Sequence, residues 1–404
     1  MIDKIKQFYN ESNLKINDLP FVSDIEKAGG EIFMVGGSTR DELLGKESKD
    51  LDILIRGISI DKMNSILKKY GTVNLVGQKF GVIKWKEFGS NEDIDIAIPR
   101  TEIKTGPNRT DFEVSSDPML PLEHDLYRRD FSFNAISKKL NGEMIDPYNG
   151  RLDIKNKIIR MINPNSFDPV VGDELRMLRG VQFSSRFSFK IEEKTLEAMR
   201  KFALTITKTS KERVLEELKK MLKGDKNLPL GISYLIRTKL FQYIFKFKNI
   251  HFSLREFLKV NVFSELLFLL SFGNGIENLG DYLKKVLMIE NSTEKEINSL
   301  NHLFLNSGIS DIAKRRMIIS ECLKSSQIIY ESKLIPGDWK VLIKEFKNGM
   351  YPKNINELKI NGNELMNLGY QGKAISEITK KLLLAIYSDE IQNDKNQILR
   401  FLGR

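Results

Sequence analysis

The chain has few of the residues that build disulfide or thiolate-metal frameworks. Its 404 residues include one cysteine, Cys322, and three histidines. A single thiol excludes an internal disulfide and a cysteine-cluster zinc site, and it fits a reducing compartment, so we expect a cytoplasmic location. Long apolar runs are also missing. The most lipid-like stretch, residues 266–276, spans about 11 uncharged residues, whereas a membrane crossing needs roughly 18. We therefore expect no membrane anchor and no targeting segment.

Charge and apolar residues are both plentiful. Hydrophobic residues make up 41% of the chain and charged residues 29%, which predicts a soluble globular protein with a sizeable core. The length predicts two to four domains at roughly 100 to 200 residues each. Lysine and arginine number 64 against 54 aspartates and glutamates, which leaves a net charge of +10. This excess favours a polyanionic partner such as nucleic acid.

The pattern of residues changes along the chain. Runs rich in β-branched and aromatic residues predict strands in the N-terminal third, at 32–35, 51–56, 72–75, 81–85, 93–98 and 134–137. Helices are predicted at 40–44 and 62–70, and with the strands they indicate an α+β or α/β unit on a mixed sheet, of which we expect α+β. Four prolines between 99 and 121 predict a loop over that sheet. From Asp173 onward, apolar residues recur at intervals of three and four, which predicts helices. Turn formers predict helix breaks at 224–229, 273–280, 336–337, 351–356 and 361–362.

Two glycines connect the first predicted strand to a predicted helix. Gly36 and Gly37 follow the apolar run 33–35 and precede the polar run 38–42. A glycine turn at a helix N-terminus presents free N–H groups, an arrangement suited to phosphate. Taken alone, the same residues favour a simple tight turn between strand and helix. The Gly-x-Gly-x-x-Gly spacing of dinucleotide-binding proteins is absent.

Acidic residues occur within two of the predicted strands. Asp50 and Asp52 are two residues apart, so their side chains share one face of a strand. Adjacent carboxylates repel each other unless a cation lies between them, and Mg²⁺ takes oxygen ligands of this kind. Asp95 lies in another apolar strand, where an unpaired charge would be costly. Three acids on neighbouring strands predict a two-metal site, and a solvated strand face is the alternative.

These features, in this order, resemble the polymerase-β-type nucleotidyltransferases. Three further motifs follow: Arg128 to Ala135, Asp146 to Gly150 with Asp153 and Arg160, and Asp173 to Arg179. With them, the order is similar to that of the class II tRNA nucleotidyltransferases, the CCA-adding enzymes, and the related bacterial poly(A) polymerases. The segments at 360–365 and 368–375 are similar to the helical tail of bacterial CCA-adding enzymes, which the poly(A) polymerases usually lack.

The resemblance implies an activity, a fold and a set of site residues. The implied activity is template-independent addition of C, C and A, from CTP and ATP, to the 3′ end of tRNA, with Mg²⁺ as cofactor and pyrophosphate released. The implied fold is a polymerase-β-like mixed sheet with helices (1–160), followed by an elongated all-α neck (161–224), body (225–355) and tail (356–404). Asp50, Asp52 and Asp95 would be the catalytic and metal-binding residues. The nucleotide-binding residues would be Gly36, Gly37, Arg40, Arg129, Asp130, Asn134, Asp173, Arg176 and Arg179.

Asp173 and Arg176 are the predicted readers of the base. At positions i and i+3 they would share one face of a helix, where an intrahelical ion pair is the simpler interpretation. A carboxylate beside a guanidinium matches the hydrogen-bonding edges of C and A and rejects G and U. The sequence departs from the family at Gly172, where glutamate is usual, and at Gln182, where arginine is usual. Both departures lie in the segment that would select the base, and neither affects the three acids of the predicted metal site.

Other motifs favour structural roles, and other functions stay open. We expect the acids at 146–153 to cap backbone, and Ser210 to cap the helix that follows it. The alternatives are a poly(A) polymerase or an enzyme adding only A or only CC, a non-catalytic RNA-binding protein, and a nucleotidyltransferase of small molecules. The sequence leaves the oligomeric state open.

Overall fold

The computed structural model describes residues 16–46, 51–74, 81–90, 93–104, 112–168, 172–224, 226–325 and 328–404. The chain divides into two compact units. The first comprises Met1–Thr209 with Arg237–Lys239, and the second comprises Ser210–Ile236 with Leu240–Arg404. The division at Thr209 falls inside the predicted neck, and the finer predicted boundaries at 160, 224 and 355 stay predictions.

A seven-stranded mixed sheet forms the centre of the first unit, in the order β3-β4-β5-β2-β1-β8-β9. Strands β2 and β5 run parallel, and the other neighbours pair antiparallel. The strands are β1 (Glu31–Val35), β2 (Ile53–Arg56), β3 (Gly71–Asn74), β4 (Val82–Glu87), β5 (Ile94–Ala97), β8 (Ser137–Lys139) and β9 (Met144–Ile145). Two further pairs lie outside this sheet: β6 (Arg100–Lys104) with β7 (Phe112–Ser116), and β10 (Ile158–Ile159) with β11 (Lys190–Ile191).

Helices cover both faces of the sheet because each central strand alternates its side chains between two cores. Ile53 and Ile96 belong to one buried cluster, whereas Leu54 belongs to the other. The helices of this unit are α1 (Val22–Lys27), α2 (Gly37–Leu43), α3 (Ile60–Leu67), α4 (Leu122–Tyr127), α5 (Gly150–Asn156), α6 (Leu175–Phe187) and α7 (Glu193–Phe202), with 3₁₀ turns at Ile16–Asp18, Ser132–Asn134 and Ala203–Lys208.

Two of the predictions for this unit are wrong in part. The predicted strand at 134–137 is a 3₁₀ turn followed by β8, because Asn134 donates its backbone N–H back to the Phe131 carbonyl (3.0 Å) and its side chain also bonds locally. The predicted loop between the prolines contains the antiparallel pair β6 and β7. All four prolines lie outside these two strands, so none removes a donor from the ladder. The other predicted strands are confirmed within the described residues.

The second unit is helical, as the three-and-four periodicity predicts. Its helices or 3₁₀ turns begin or end at each predicted break, and its helices bury apolar side chains. Ser210 occupies the N-cap position of α8 without a side-chain capping bond. The helices are α8 (Lys211–Lys220), α9 (Leu228–Arg237), α10 (Leu240–Phe245), α11 (Phe263–Ser271), α12 (Leu279–Leu287), α13 (Asn291–Leu305), α14 (Ile312–Ser325), α15 (Ile328–Glu331), α16 (Gly337–Lys347), α17 (Gly362–Asn367), α18 (Lys373–Tyr387) and α19 (Lys395–Phe401), with 3₁₀ turns at Leu254–Lys259 and Ile355–Glu357. In the described part of the chain, every helix is too short or too polar to cross a bilayer.

Candidate active site

The glycine turn between β1 and α2 lies against charged side chains from elsewhere in the first unit. Gly36 has a φ of +69°, which favours glycine, and a Cβ there would lie 2.6 Å from Arg129 Nη1 and 3.3 Å from Asp52 Oδ2. The next residue, Gly37, donates its backbone N–H to Asp52 Oδ2 at 3.1 Å. The turn therefore needs glycine both for its backbone conformation and for the close approach of Arg129 and Asp52.

Two of the three predicted carboxylates lie side by side on the sheet. Strand β2 pairs with β5 in the register Ile53 to Ile96, so Asp52 is level with Asp95. Both lie on the face opposite Ile53 and Ile96, because neighbouring residues of a strand point to opposite sides. Asp95 Oδ1 accepts from Lys84 Nζ at 2.9 Å, directly across β4 and β5. Asp50, the third predicted carboxylate, lies outside the described residues.

The donor set of this pair fits a hard divalent cation. Asp52 and Asp95 supply carboxylate oxygens from a common face, and Mg²⁺ is commonly held by one or two carboxylates together with substrate phosphates. Asp95 is exposed, so its oxygens are accessible. In the part of the chain that the structure describes, no group of three or more metal-ligating side chains is assembled. Two of the three predicted ligands therefore share one face of the sheet, and the metal site itself stays a prediction.

A buried aspartate that the sequence analysis missed holds two arginines of the site. Asp125 is fully buried in α4 and accepts from Arg128 Nε (2.9 Å) and from Arg129 Nη2 (2.8 Å). Burial alone would raise the pKa of Asp125, but the guanidiniums of Arg129 and Arg128 outweigh it and leave this pKa below its ordinary value. The spacing of i+3 and i+4 from Asp125 to the arginines was the available signal.

A second chain of polar contacts joins four of the predicted nucleotide-binding residues. Arg40 Nη1 donates to Asn134 Oδ1 (2.7 Å), and Asn134 Nδ2 donates to Asp130 Oδ1 (2.8 Å). Arg179 Nε donates to Asp130 Oδ2, also at 2.8 Å. Burial opposes the charge of Asp130, yet Arg179 and Asn134 lower its pKa below the ordinary value. Arg40 is buried and also pairs with Asp41 Oδ1 at 2.8 Å. Its guanidinium therefore holds Asn134 in place from the interior of the protein.

Two phenylalanines that no sequence motif indicated have their rings against the guanidiniums of this network. The Arg40 guanidinium carbon lies 4.9 Å from the centre of the Phe187 ring, and that of Arg179 lies 5.2 Å from the centre of Phe183. Both rings belong to α6 and are buried. A guanidinium over an aromatic face is stabilised by the ring quadrupole, so these contacts restrict where each arginine points.

The predicted base readers lie at the start of α6, but not as expected. The helix begins at Leu175, so Asp173 precedes it and accepts from the Leu175 backbone N–H at 3.0 Å. Aspartate favours this position because its side-chain oxygen satisfies a backbone donor at the helix start. The expectation that Asp173 shares a helical face with Arg176 is therefore wrong. Arg176 Nη1 donates to Ser166 Oγ at 3.0 Å, and Nη2 donates to the Arg128 carbonyl.

The acids at 146–153 have structural roles, as predicted, but only Asp146 caps backbone, whereas Asp153 accepts from side chains. Asp146 accepts from the backbone N–H groups of Gly150 (2.7 Å) and Arg151 (2.9 Å), so it caps the start of α5. Asp153 is buried and accepts from Ser132 Oγ at 2.6 Å. Both carboxylates therefore support the segment that carries Asp130 and Asn134.

Comparisons with known proteins place the chain among RNA nucleotidyltransferases. Residues 32–160 match the family described as "Poly A polymerase head domain", and residues 188–250 match the "Probable RNA and SrmB- binding site of polymerase A". A CCA-adding enzyme of Ligilactobacillus salivarius is 30% identical over 407 residues, covering 94% of each chain.

Solved structures show the same fold. The Bacillus stearothermophilus CCA-adding enzyme in complex with CTP matches 95% of each chain with a TM-score of 0.71 and 22% identity. The Thermotoga maritima CCA-adding enzyme complexed with tRNA_CCA covers 95% of this chain and 93% of its own, with a TM-score of 0.68 and 22% identity. The head-domain match and the mixed sheet define a polymerase-type nucleotidyltransferase. Within that class, the chain belongs to the family of CCA-adding enzymes. Membership implies a divalent metal.

Proposed function

We propose that this chain is a tRNA nucleotidyltransferase that adds C, C and A, from CTP and ATP, to the 3′ end of tRNA and releases pyrophosphate. The observation that carries the proposal is the contact between Asp52 Oδ2 and the Gly37 N–H, with Arg129 against Gly36, in a chain that belongs to this family. It brings a carboxylate, a glycine turn and a guanidinium together, as transfer from a nucleoside triphosphate requires.

The metal in this proposal is Mg²⁺, held by Asp52 and Asp95 together with Asp50. When bound, it lowers the pKa of the attacking 3′ hydroxyl and neutralises charge on the triphosphate. The carboxylates support this assignment because they share one face of neighbouring strands, and oxygen is the ligand that Mg²⁺ prefers. Lys84, which donates to Asp95, supplies a further cation beside that carboxylate.

The protein's own part is mainly to hold cations in place. Asp125 fixes Arg128 and Arg129, and Asp130 fixes Arg179, so these guanidiniums are oriented before any nucleotide arrives. Arginine carries five N–H donors, and its flat fork matches phosphate oxygens. In phosphoryl-type transfer, positioning and charge neutralisation account for most of the catalysis. Arg129, Arg179 and Asn134 are accordingly the residues that we assign to the nucleotide, with Asp173 and Arg176 assigned to its base.

We assign the tRNA chiefly to the helical part of the chain. Residues 210–404 contain 31 lysines and arginines against 22 aspartates and glutamates. This excess favours binding to the phosphate backbone, which depends on salt and is largely blind to sequence. The single thiol, Cys322, is buried and supports a cytoplasmic location.

The direct test uses a tRNA transcript that lacks its last three nucleotides. We expect CTP alone to extend it by two residues, CTP with ATP by three, and ATP alone by none, with all extension stopped by EDTA. A transcript that already ends in CCA is the control and should not grow. Unlimited growth with ATP would indicate a poly(A) polymerase, and a single A added only to a transcript ending in CC would indicate an A-adding enzyme. Binding of tRNA with no extension under any condition would indicate a non-catalytic RNA-binding protein.

A further inference from the structure

Arg176 is held by two uncharged acceptors from other parts of the first unit. Its Nη1 donates to Ser166 Oγ at 3.0 Å, and its Nη2 donates to the backbone carbonyl of Arg128. Within the described ranges, Arg176 forms no ion pair with a carboxylate. The guanidinium is therefore oriented by hydrogen bonds to neutral acceptors, and its charge also helps to lower the pKa of the buried Asp130. These two bonds use two of its five N–H donors.

Ser166 is well suited to orient this side chain because it is itself fixed. It is 1% exposed, its backbone N–H donates to the Asn163 carbonyl (3.1 Å), and its carbonyl accepts from the Asp173 N–H (3.1 Å). A buried hydroxyl with a rigid backbone has few alternative positions. The hydrogen bond with Asp173 also ties the turn at 163–168 to the residue that opens the α6 segment.

Gly172 is what allows this turn to come so close. A Cβ at Gly172 would lie 2.4 Å from the Ser166 carbonyl oxygen and 2.5 Å from that of Asn165, distances that real Cβ atoms do not show. The neighbours are backbone atoms, which do not move aside as a flexible side chain does. The glycine that departs from the usual family pattern is therefore coupled to the serine that holds Arg176.

We propose that Ser166 is a positioning residue for base selection: its hydroxyl fixes the Arg176 guanidinium, and Gly172 permits the backbone approach that places that hydroxyl. This inference rests on the proposed function and names a residue that acts through Arg176. A neutral anchor leaves the guanidinium free to donate to acceptor atoms of a pyrimidine or purine ring, whereas a carboxylate would compete for the same donors. Ser166 therefore orients Arg176 in a chain that has glycine, where the family usually has glutamate, at position 172.

The test compares Ser166→Ala with Ser166→Thr, Gly172→Ala and Ser184→Ala in the full chain. Ser184 is the matched control, since it is also buried and donates to a neutral carbonyl, that of Phe189, at 2.7 Å. Two quantities are measured: the ratio of kcat/KM for CTP over UTP during tRNA extension, and the ratio of the dissociation constant of UTP over that of CTP by equilibrium dialysis. Losing one hydrogen bond to a charged group should lower both ratios about tenfold in Ser166→Ala. The effect should fall mainly on KM, with kcat and tRNA affinity little changed.

Each variant has a distinct expected result. Ser166→Thr keeps a hydroxyl and should restore most of the selectivity, Gly172→Ala should lower it as Ser166→Ala does, and Ser184→Ala should keep the wild-type ratio. Unchanged ratios in Ser166→Ala, or an equal loss in Ser184→Ala, would overturn the inference. Equal binding of CTP and UTP by the wild type would also overturn it. Failure of the wild type to extend tRNA would count against the proposed function, whereas the dialysis ratios would still test Ser166.

Discussion

Residues 1–209 carry 33 lysines and arginines against 32 aspartates and glutamates, whereas residues 210–404 carry 31 against 22. In the first region, opposite charges meet inside the fold: Asp125 and Asp130 are buried, and each pairs with arginine. In the second region, cations exceed acids and many lie on the surface. A site that orients a triphosphate needs charges fixed in place, and a buried charge is tolerated only when it is paired. A surface that binds a polyanion needs a net excess of positive charge instead.

The second region also contains a buried arginine with a different role. Arg316 is 3% exposed, donates to the Tyr387 carbonyl (2.7 Å) and pairs with Glu345 and Asp389. Its guanidinium carbon lies 3.9 Å from the centre of the Tyr351 ring. These interactions join three helical segments of the second unit. The buried charge of Arg316 therefore holds helices together, while the surface cations of that unit give it its excess of positive charge.

The largest effect is expected for the carboxylate at the glycine turn. Asp52→Asn removes a metal-binding charge but keeps the shape of the side chain, so nucleotide incorporation should fall by roughly a thousandfold, since metal stabilisation is worth several kcal/mol. The affinity for tRNA should not change. Extension rates and filter binding measure the two quantities. Asp61→Asn, at an exposed position of α3, is the control. A loss of tRNA affinity equal to the loss of activity would contradict the assignment of nucleotide transfer to the first region and of tRNA binding chiefly to the second.

The next effect concerns stability. Asp125→Asn leaves Arg128 and Arg129 without their buried partner, and the first unit should lose about 3 kcal/mol or more of unfolding free energy. The two tryptophans, Trp85 and Trp339, lie one in each unit and are both fully buried. In a Trp339→Phe background, fluorescence during urea unfolding reports the first unit. In a Trp85→Phe background it reports the second, whose transition should not move. An equal shift of both transitions would show that the units share this stability.

The pH dependence should follow the same buried acids. The pKa values of Asp125 and Asp130 are lowered in the folded state, so their stabilisation is complete above the ordinary pKa of aspartate, about 3.8. It is lost as pH falls below that value, because the unfolded chain then binds protons that the folded chain does not. Urea midpoints of the Trp339→Phe protein between pH 6 and pH 3 measure the loss. The Asp125→Asn variant should show a shallower decline, and parallel curves would contradict the assignment.

The smallest effect is expected for single groups of surface cations. Lys373 and Lys380 are exposed on α18, and replacing both with glutamine should reduce the slope of log affinity for tRNA against log salt by up to about 2, roughly 0.9 for each phosphate that is no longer neutralised. Lys62 and Lys68, exposed in and just after α3 in the first region, are the matched control pair. If replacing Lys62 and Lys68 weakens tRNA binding as much as replacing Lys373 and Lys380, the excess of positive charge in residues 210–404 does not indicate where the RNA binds.

Local pattern was sufficient for the elements that present the site. The strand before Gly36, the helix after Gly37 and the strand containing Asp95 all follow from runs of four to seven residues, and the structure confirms them. Asp125 was missed although its spacing to Arg128 and Arg129 was visible, because an intrahelical pair is common and does not by itself indicate a site. Ser166 left no signal, since it lies ten residues before Arg176 in an irregular segment.

Gly172 shows why a departure from a motif cannot be interpreted without the fold. In the sequence it is a missing acid, whereas in the structure it is the surface against which the Ser166 carbonyl packs. Gln182, the other departure, is 1% exposed, and its Nε2 has no hydrogen-bond partner in the part of the chain described. The structure gives no physical account of that residue.

The sequence by itself determined the first five strands of the central sheet, the helical periodicity after Asp173 and the excess of cations in the second region. These properties depend on neighbouring residues or on simple counts. The tertiary structure decided which charges meet. Arg40 bonds to Asn134 across 94 residues of chain, and Arg179 to Asp130 across 49. Such pairs are set by sheet register and helix packing, which bring distant side chains to a common point that no local preference specifies.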